Sequence, residues 1–111
     1  MDNELLERYA EENIITAHEY LDARNEYAEA KLYMDVQLAL NLPELREVRS
    51  NIGYDMSLIM LVEKTPEIKP YYEDMVKNKN RYKGLDKVMN AISTRISLGQ
   101  SLIKNKIQEG G

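Results

Sequence analysis

With 111 residues, 43% of them hydrophobic and 31% charged, the chain is long enough to bury one core, too apolar to be disordered and too charged to be a membrane span. It has no cysteine, which removes disulfides, thiolate nucleophiles and thiolate metal sites together, and no Trp or Phe, so eight Tyr and six Met supply the bulky contacts. The net charge of −4 is unevenly spread: residues 1–40 hold ten acids against three bases, residues 41–65 four against three, and residues 66–111 five against nine.

The chain opens Met1-Asp2-Asn3-Glu4, acidic where a secretory signal would be basic, and its longest apolar run, Leu58 to Val62, has five residues. A cytoplasmic protein is expected from these features. Residues 3–40 contain neither Pro nor Gly and are rich in Ala, Glu, Leu, Arg and Lys, which predicts a first helix over that whole range. Its apolar face reads as Leu6, Ala10, Ile14, Ala17, Leu21, Ala28 and Leu32, widened by Tyr20, Tyr27, Met34 and Leu38.

Asn41-Leu42-Pro43-Glu44 reads as a stop followed by a start, since Pro disfavours helix in the residue before it and fits the first turn of the next. Asn41 and Glu44 have the spacing of a capping box. A second helix is predicted over 43–63, burying Leu45, Val48, Ile52, Met56, Ile59 and Val62, with Gly53 inside it as a point where a neighbouring backbone approaches. Thr65-Pro66-Glu67 signals the next start, and Pro70 places a kink or a 3₁₀ turn at 66–70.

A third helix is predicted over 70–107. Its stripe of Tyr71, Met75, Asn78, Tyr82, Leu85, Met89, Ile92, Ile96, Gly99, Ile103 and Ile107 advances by threes and fours, as in a coiled-coil seam. Such a helix would run about 55 Å at 1.5 Å per residue. Short connections make successive helices antiparallel, so a second helix of half that length leaves the first and third projecting past it. The resulting expectation is an all-α fold in one domain over 1–111, an elongated three-helix up-down-up bundle with coiled-coil-like packing. Apolar surface at Leu6, Ala10, Ile14, Ile92, Ile96, Gly99 and Ile103 would then be covered by further copies in a homo-oligomer. A break at Gly84, folding the third helix back on itself, is the alternative.

Lys77, Lys79, Arg81, Lys83 and Lys87 fall within eleven residues, and Arg95, Lys104 and Lys106 continue the basic character along the same helix. Cations one helical turn apart suit the phosphates of a nucleic-acid backbone. With no base-reading motif beside them, the expected ligand is single-stranded and the contact non-specific. The competing reading is a protein–protein module in which the same bases pair with the acidic first helix of a neighbour. His18 is the one histidine, and Ile15 stands where a di-iron bundle would need a glutamate, so no metal site is expected. Glu26-x-x-Glu29 and Glu44-x-x-Glu47 resemble the Mg²⁺-holding pairs of all-helical nucleotide pyrophosphohydrolases; the second pair ends in Glu where those enzymes usually carry Asp. No Ser-His-acid set or glycine-rich loop is visible, so neither an enzyme nor a cofactor nor a small-molecule substrate is expected.

The run Ala91-Ile92-Ser93, through Arg95, to Ile103-Lys104-Asn105 resembles the C-terminal helix of the recombination mediator of T-even phages and of small helical phage proteins encoded near recombination genes. Ser97 and Leu98 stand where that helix carries an aromatic after the Arg, and the spacing to Ile103-Lys104-Asn105 is longer. The resemblance implies an oligomeric helical accessory protein that binds single-stranded DNA and helps to load a recombinase.

Overall fold

The computed structural model describes residues 2–110, and among them the fold is all helical. Helix α1 spans Asn3–Val48, α2 Tyr54–Lys64, a 3₁₀ turn Pro66–Ile68, and α3 Lys69–Gly110. The chain divides into two units: residues up to Asp22 with those from Arg81 onward, and Ala23–Asn80. The first contains only parts of α1 and α3 and is called the two-helix unit below; the second also contains α2 and is the three-helix unit.

Helix α1 starts where the sequence places it, because Asp2 supplies a cap: the Leu5 backbone N–H donates to its Oδ1 at 2.8 Å and Glu4 follows in the first turn. It does not stop at Asn41. Pro43 lies inside the helix, which continues to Val48, so the predicted break and capping box are replaced by an uninterrupted path. An interior proline costs about 3 kcal/mol. Continuing the helix carries Leu45 into the core, where it is 3% exposed beside Leu58 and Leu61, and burying a leucine returns about 1.5–3 kcal/mol. The Asn41 side-chain amide also donates back to the Gln37 carbonyl at 2.8 Å.

The second helix is therefore shorter than predicted, Tyr54–Lys64 instead of 43–63. Gly53 is its N-cap, with extended backbone, and a Cβ there would meet nothing within 4 Å, so no close backbone approach explains it. The Ser57 N–H and hydroxyl both donate to the Gly53 carbonyl, at 2.9 and 2.7 Å. The 3₁₀ turn at Pro66–Ile68 and the start of α3 at Lys69 match the sequence expectation. Gly84 sits within a continuous α3, where an added Cβ would again meet nothing.

In the three-helix unit, Ala30, Met34 and Leu45 of α1, Leu58 and Leu61 of α2, Ile68, and Met75 of α3 form one hydrophobic core. Tyr33 stacks on Tyr71 with ring centroids 4.0 Å apart. In the two-helix unit Tyr20 meets Tyr82 edge-on at 5.9 Å, and further along Asn13 donates to the Ser93 hydroxyl at 3.3 Å. As α1 advances from Asn13 to Tyr20, its partner recedes from Ser93 to Tyr82, so here the two helices are antiparallel. An up-down-up order would set the first and third helices parallel, and the contacts within this unit overturn that order.

That pairing answers the covering problem posed by the sequence. The α3 seam follows the prediction from Met75 to Ile103, with Met75, Asn78, Ile92 and Gly99 buried and Tyr82, Leu85, Met89, Ile96 and Ile103 half-buried, whereas Tyr71 and Ile107, at its predicted ends, are exposed. On α1 the inward row is Tyr9, Asn13, Thr16 and Tyr20 in one unit and Ala23, Tyr27, Ala30 and Met34 in the other, steps of three and four throughout. The main stripe predicted for α1 is displaced by one residue, whereas Tyr20, Tyr27 and Met34, predicted to widen it, lie in the inward row itself. Opposite the bulky α3 seam, small Ala23 and Ala30 fit the interior, and the tyrosines bury rings while keeping their hydroxyls near water.

Candidate functional site

All eight basic residues singled out on the third helix are exposed. Lys77 and Lys79 belong to the three-helix unit; Arg81, Lys83, Lys87, Arg95, Lys104 and Lys106 belong to the two-helix unit. A helix turns about 100° per residue, so in the two-helix unit each position is fixed by its distance from the inward row. Lys83 and Lys104 each follow an inward residue, Tyr82 and Ile103. Arg81 and Arg95 each precede one, Tyr82 and Ile96. Lys87 lies midway between Leu85 and Met89 and points straight out. Arg95 is held with its guanidinium 6.0 Å from the centre of the Tyr9 ring, a cation–π contact across the pair. Among the described residues, no carboxylate lies within ion-pair distance of the Lys83, Lys87, Lys104 or Lys106 ammonium groups. Their positive charge is thus presented to solvent uncompensated.

The helix opposite carries the other sign. Residues 1–22 contain seven acids and one base, while residues 81–111 contain six bases and two acids. Glu7 and Glu11 do not close onto these four lysines, because they flank inward Tyr9 by two positions each and therefore lie on the outer side of α1.

The four carboxylates of the two Glu-x-x-Glu pairs do not converge. Glu26 and Glu29 line a cleft of about 440 Å³ in the three-helix unit with Tyr33, Tyr71, Asp74 and Lys77. Glu44 and Glu47 line a different one with Met60, Glu63 and Lys64, and Glu44 is ion-paired to Lys64. All four sit on α1, eighteen residues apart pair to pair, or about 27 Å along the axis. No group of three or more His, Asp or Glu side chains among the described residues is arranged to hold a metal ion. His18 is exposed on α1.

The residues expected to form an oligomer interface divide sharply. Ile92 and Gly99 are buried, and Ile96 and Ile103 half-buried, in the seam with α1, so they are occupied within one chain. Leu6 is half-buried, lining a groove with Ile103 and Ile107. Ala10 and Ile14 are exposed. Sequence reasoning missed Val88, Leu98 and Leu102, which α3 turns outward. Their signal was a second row at steps of three and four, Val88, Ala91, Arg95, Leu98 and Leu102, each one residue before the seam.

One polar network was also invisible in the sequence. Tyr54 at the start of α2 donates its hydroxyl to Asp35 at 2.6 Å, and Lys31 donates to the same carboxylate at 2.6 Å, with its ammonium 5.5 Å from the Tyr54 ring centre. Burial pushes the Asp35 pKa up, but the hydrogen bonds from Lys31 and Tyr54 and the Lys31 charge outweigh it and leave the carboxyl below its usual range. Lys31 is raised, chiefly by its hydrogen bond to Asp35. Tyr54 is raised well above the ordinary phenol range, first by burial and then by Asp35. The network fastens α2 to α1.

Comparison with protein-family models, with curated proteins and with solved structures finds no match to this chain. No helix among the described residues is long and apolar enough to cross a membrane.

Proposed function

We propose that this chain is a non-enzymatic, oligomeric helical accessory protein that contacts single-stranded DNA, or a partner engaged in DNA processing, through the basic surface of α3. The observation that carries the reading is the exposure of Lys83 and Lys87, one turn apart and without a carboxylate partner among the described residues. Ammonium groups left open at this spacing neutralise successive phosphates and release their counterions. Lys104 and Lys106 repeat the charge further along the helix, and the resemblance of residues 91–105 to phage recombination mediators supports the same assignment. Binding is expected to be weak per chain and strengthened by multiplicity when several copies engage one strand.

The test is fluorescence anisotropy with a labelled oligothymidylate at about 50 mM salt, followed by a salt titration. Binding should fall steeply with salt, and Lys83→Glu with Lys87→Glu should weaken it by roughly tenfold or more, each lost phosphate contact flattening the logarithmic salt slope by about 0.7. Absence of binding at low salt refutes the reading. The alternative, a protein–protein module without nucleic-acid binding, is favoured by the opposite charges of residues 1–22 and 81–111, and it predicts that the same double substitution changes the mass of the assembly.

A further inference from the structure

The two-helix unit leaves one apolar row open on each helix. On α1 the row is Ala10, Ile14, Ala17 and Leu21, with Ile14 60% and Leu21 53% exposed and Ala17 half-buried. On α3 it is Val88, Ala91, Leu98 and Leu102, with Arg95 set between Ala91 and Leu98 and the two leucines 60% and 57% exposed. Ala10, Ile14, Ala17 and Leu21 each come one residue after an inward position or its neighbour in the seam, whereas Val88, Ala91, Leu98 and Leu102 each come one residue before Met89, Ile92, Gly99 and Ile103. In an antiparallel pair, the residues that follow the seam on both helices share one side, and those that precede it share the other. The two open rows therefore lie on opposite sides of the pair.

Opposite placement rules out one row closing on the other within a chain, and charge selects what covers them. An α1 row set against a second α1 row would bring seven acids toward seven acids; α3 against α3 would bring six bases toward six bases. An α1 row set against an α3 row brings the acidic segment onto the basic one, and both advance by the same steps of three and four. We infer that the occupant of each row is a second copy of this chain, the α1 row of one protomer packing on the α3 row of the next. A contact between two different surfaces repeats from copy to copy, so it closes into a ring or extends as a filament, unlike a two-fold dimer. Glu7 and Glu11 border the α1 row on its outer side, Lys87 borders the α3 row and Arg95 lies within it, so the charges across the contact are attractive as well.

This inference stands apart from the nucleic-acid reading, because mass is measured on the protein alone. Sedimentation velocity on the wild-type chain should give species larger than a dimer, growing over a roughly hundredfold range of concentration. Ile14→Lys with Leu21→Lys breaks only the α1 row, and Leu98→Lys with Leu102→Lys only the α3 row; each variant alone should sediment as a monomer of unchanged helicity. Mixed in equal amounts they should form a pair containing one of each, because the first retains an intact α3 row and the second an intact α1 row. Formation of that mixed pair also shows that both variants are folded. A wild-type chain monomeric throughout, a single-row variant that still self-associates, or two helical variants that fail to pair would each overturn the proposal. Should a lysine pair unfold its variant, Ile14→Ser and Leu98→Ser replace it and must still lower self-association by at least tenfold.

Discussion

The two units use the same two helices and the same spacing, yet only one of them has a core. In the three-helix unit, α2 lays Leu58 and Leu61 across Met34, Leu45 and Met75, and five residues from three segments enclose one another. The two-helix unit has no third layer, and among its described residues only Ile92 and Gly99 are buried. Two helices in contact can hide one strip of each, and everything beyond that strip stays wet. A third helix converts that strip into an interior. The contrast teaches that the spacing of apolar residues specifies contact, while the number of layers decides whether contact becomes burial.

The largest expected effect tests this contrast directly. Leu61→Ala, which empties a fully buried site in the three-helix unit, should cost about 2–5 kcal/mol in urea denaturation. At protein concentrations low enough to keep the chain monomeric, Ile92→Ala in the two-helix unit should cost clearly less, because fewer neighbours line its site. Equal losses would break the comparison. Hydrogen exchange sharpens it: amides at 9–20 and 85–103 should exchange faster than those at 27–38 in dilute protein, and gain protection as concentration rises.

A smaller effect is expected at the clasp between α2 and α1. Tyr54→Phe removes a hydrogen bond to a carboxylate, and because both groups are partly exposed the loss should be about 1 kcal/mol. The Asp35 carboxyl lies below its unfolded value, so its contribution is complete above about pH 4 and is lost as pH falls through the lower folded value. Acid titration of stability should therefore show a smaller loss in Tyr54→Phe than in the wild type. The smallest expected change is a gain: Gly84→Ala meets open space within α3 and should stabilise by about 0.5–1 kcal/mol, seen as a rise of a few degrees in Tm.

Much of α3 was legible because its seam is apolar and regular, and the structure buries or half-buries Met75 through Ile103 along it. Asn78, the polar exception, is buried with its amide donating to the Asp74 carbonyl at 2.9 Å. The α1 seam was legible only at Tyr20, Tyr27 and Met34. Hydrophobicity singled out Ile14, Leu21 and Leu32, which are exposed, over Asn13, Thr16 and Ala23, which face α3. Pro43 misled for a related reason: a local breaker was weighed without the burial of Leu45 that offsets it. Of the candidate site, the exposure of the α3 bases was readable from their spacing, whereas Val88, Leu98 and Leu102 were hidden behind the stronger seam one residue away.

By itself the sequence determined that this protein is helical and that acids gather on one long helix and bases on the other, since these follow from local propensity and composition, whereas the unbroken run of α3 past Gly84 is a finding of the structure. Which residues of α1 face inward, that α1 and α3 run antiparallel in the two-helix unit, and that one unit has three layers and the other two were settled only by tertiary structure. The reason is that a helix with apolar residues on several flanks admits more than one inward face, and the choice belongs to the partner that packs against it.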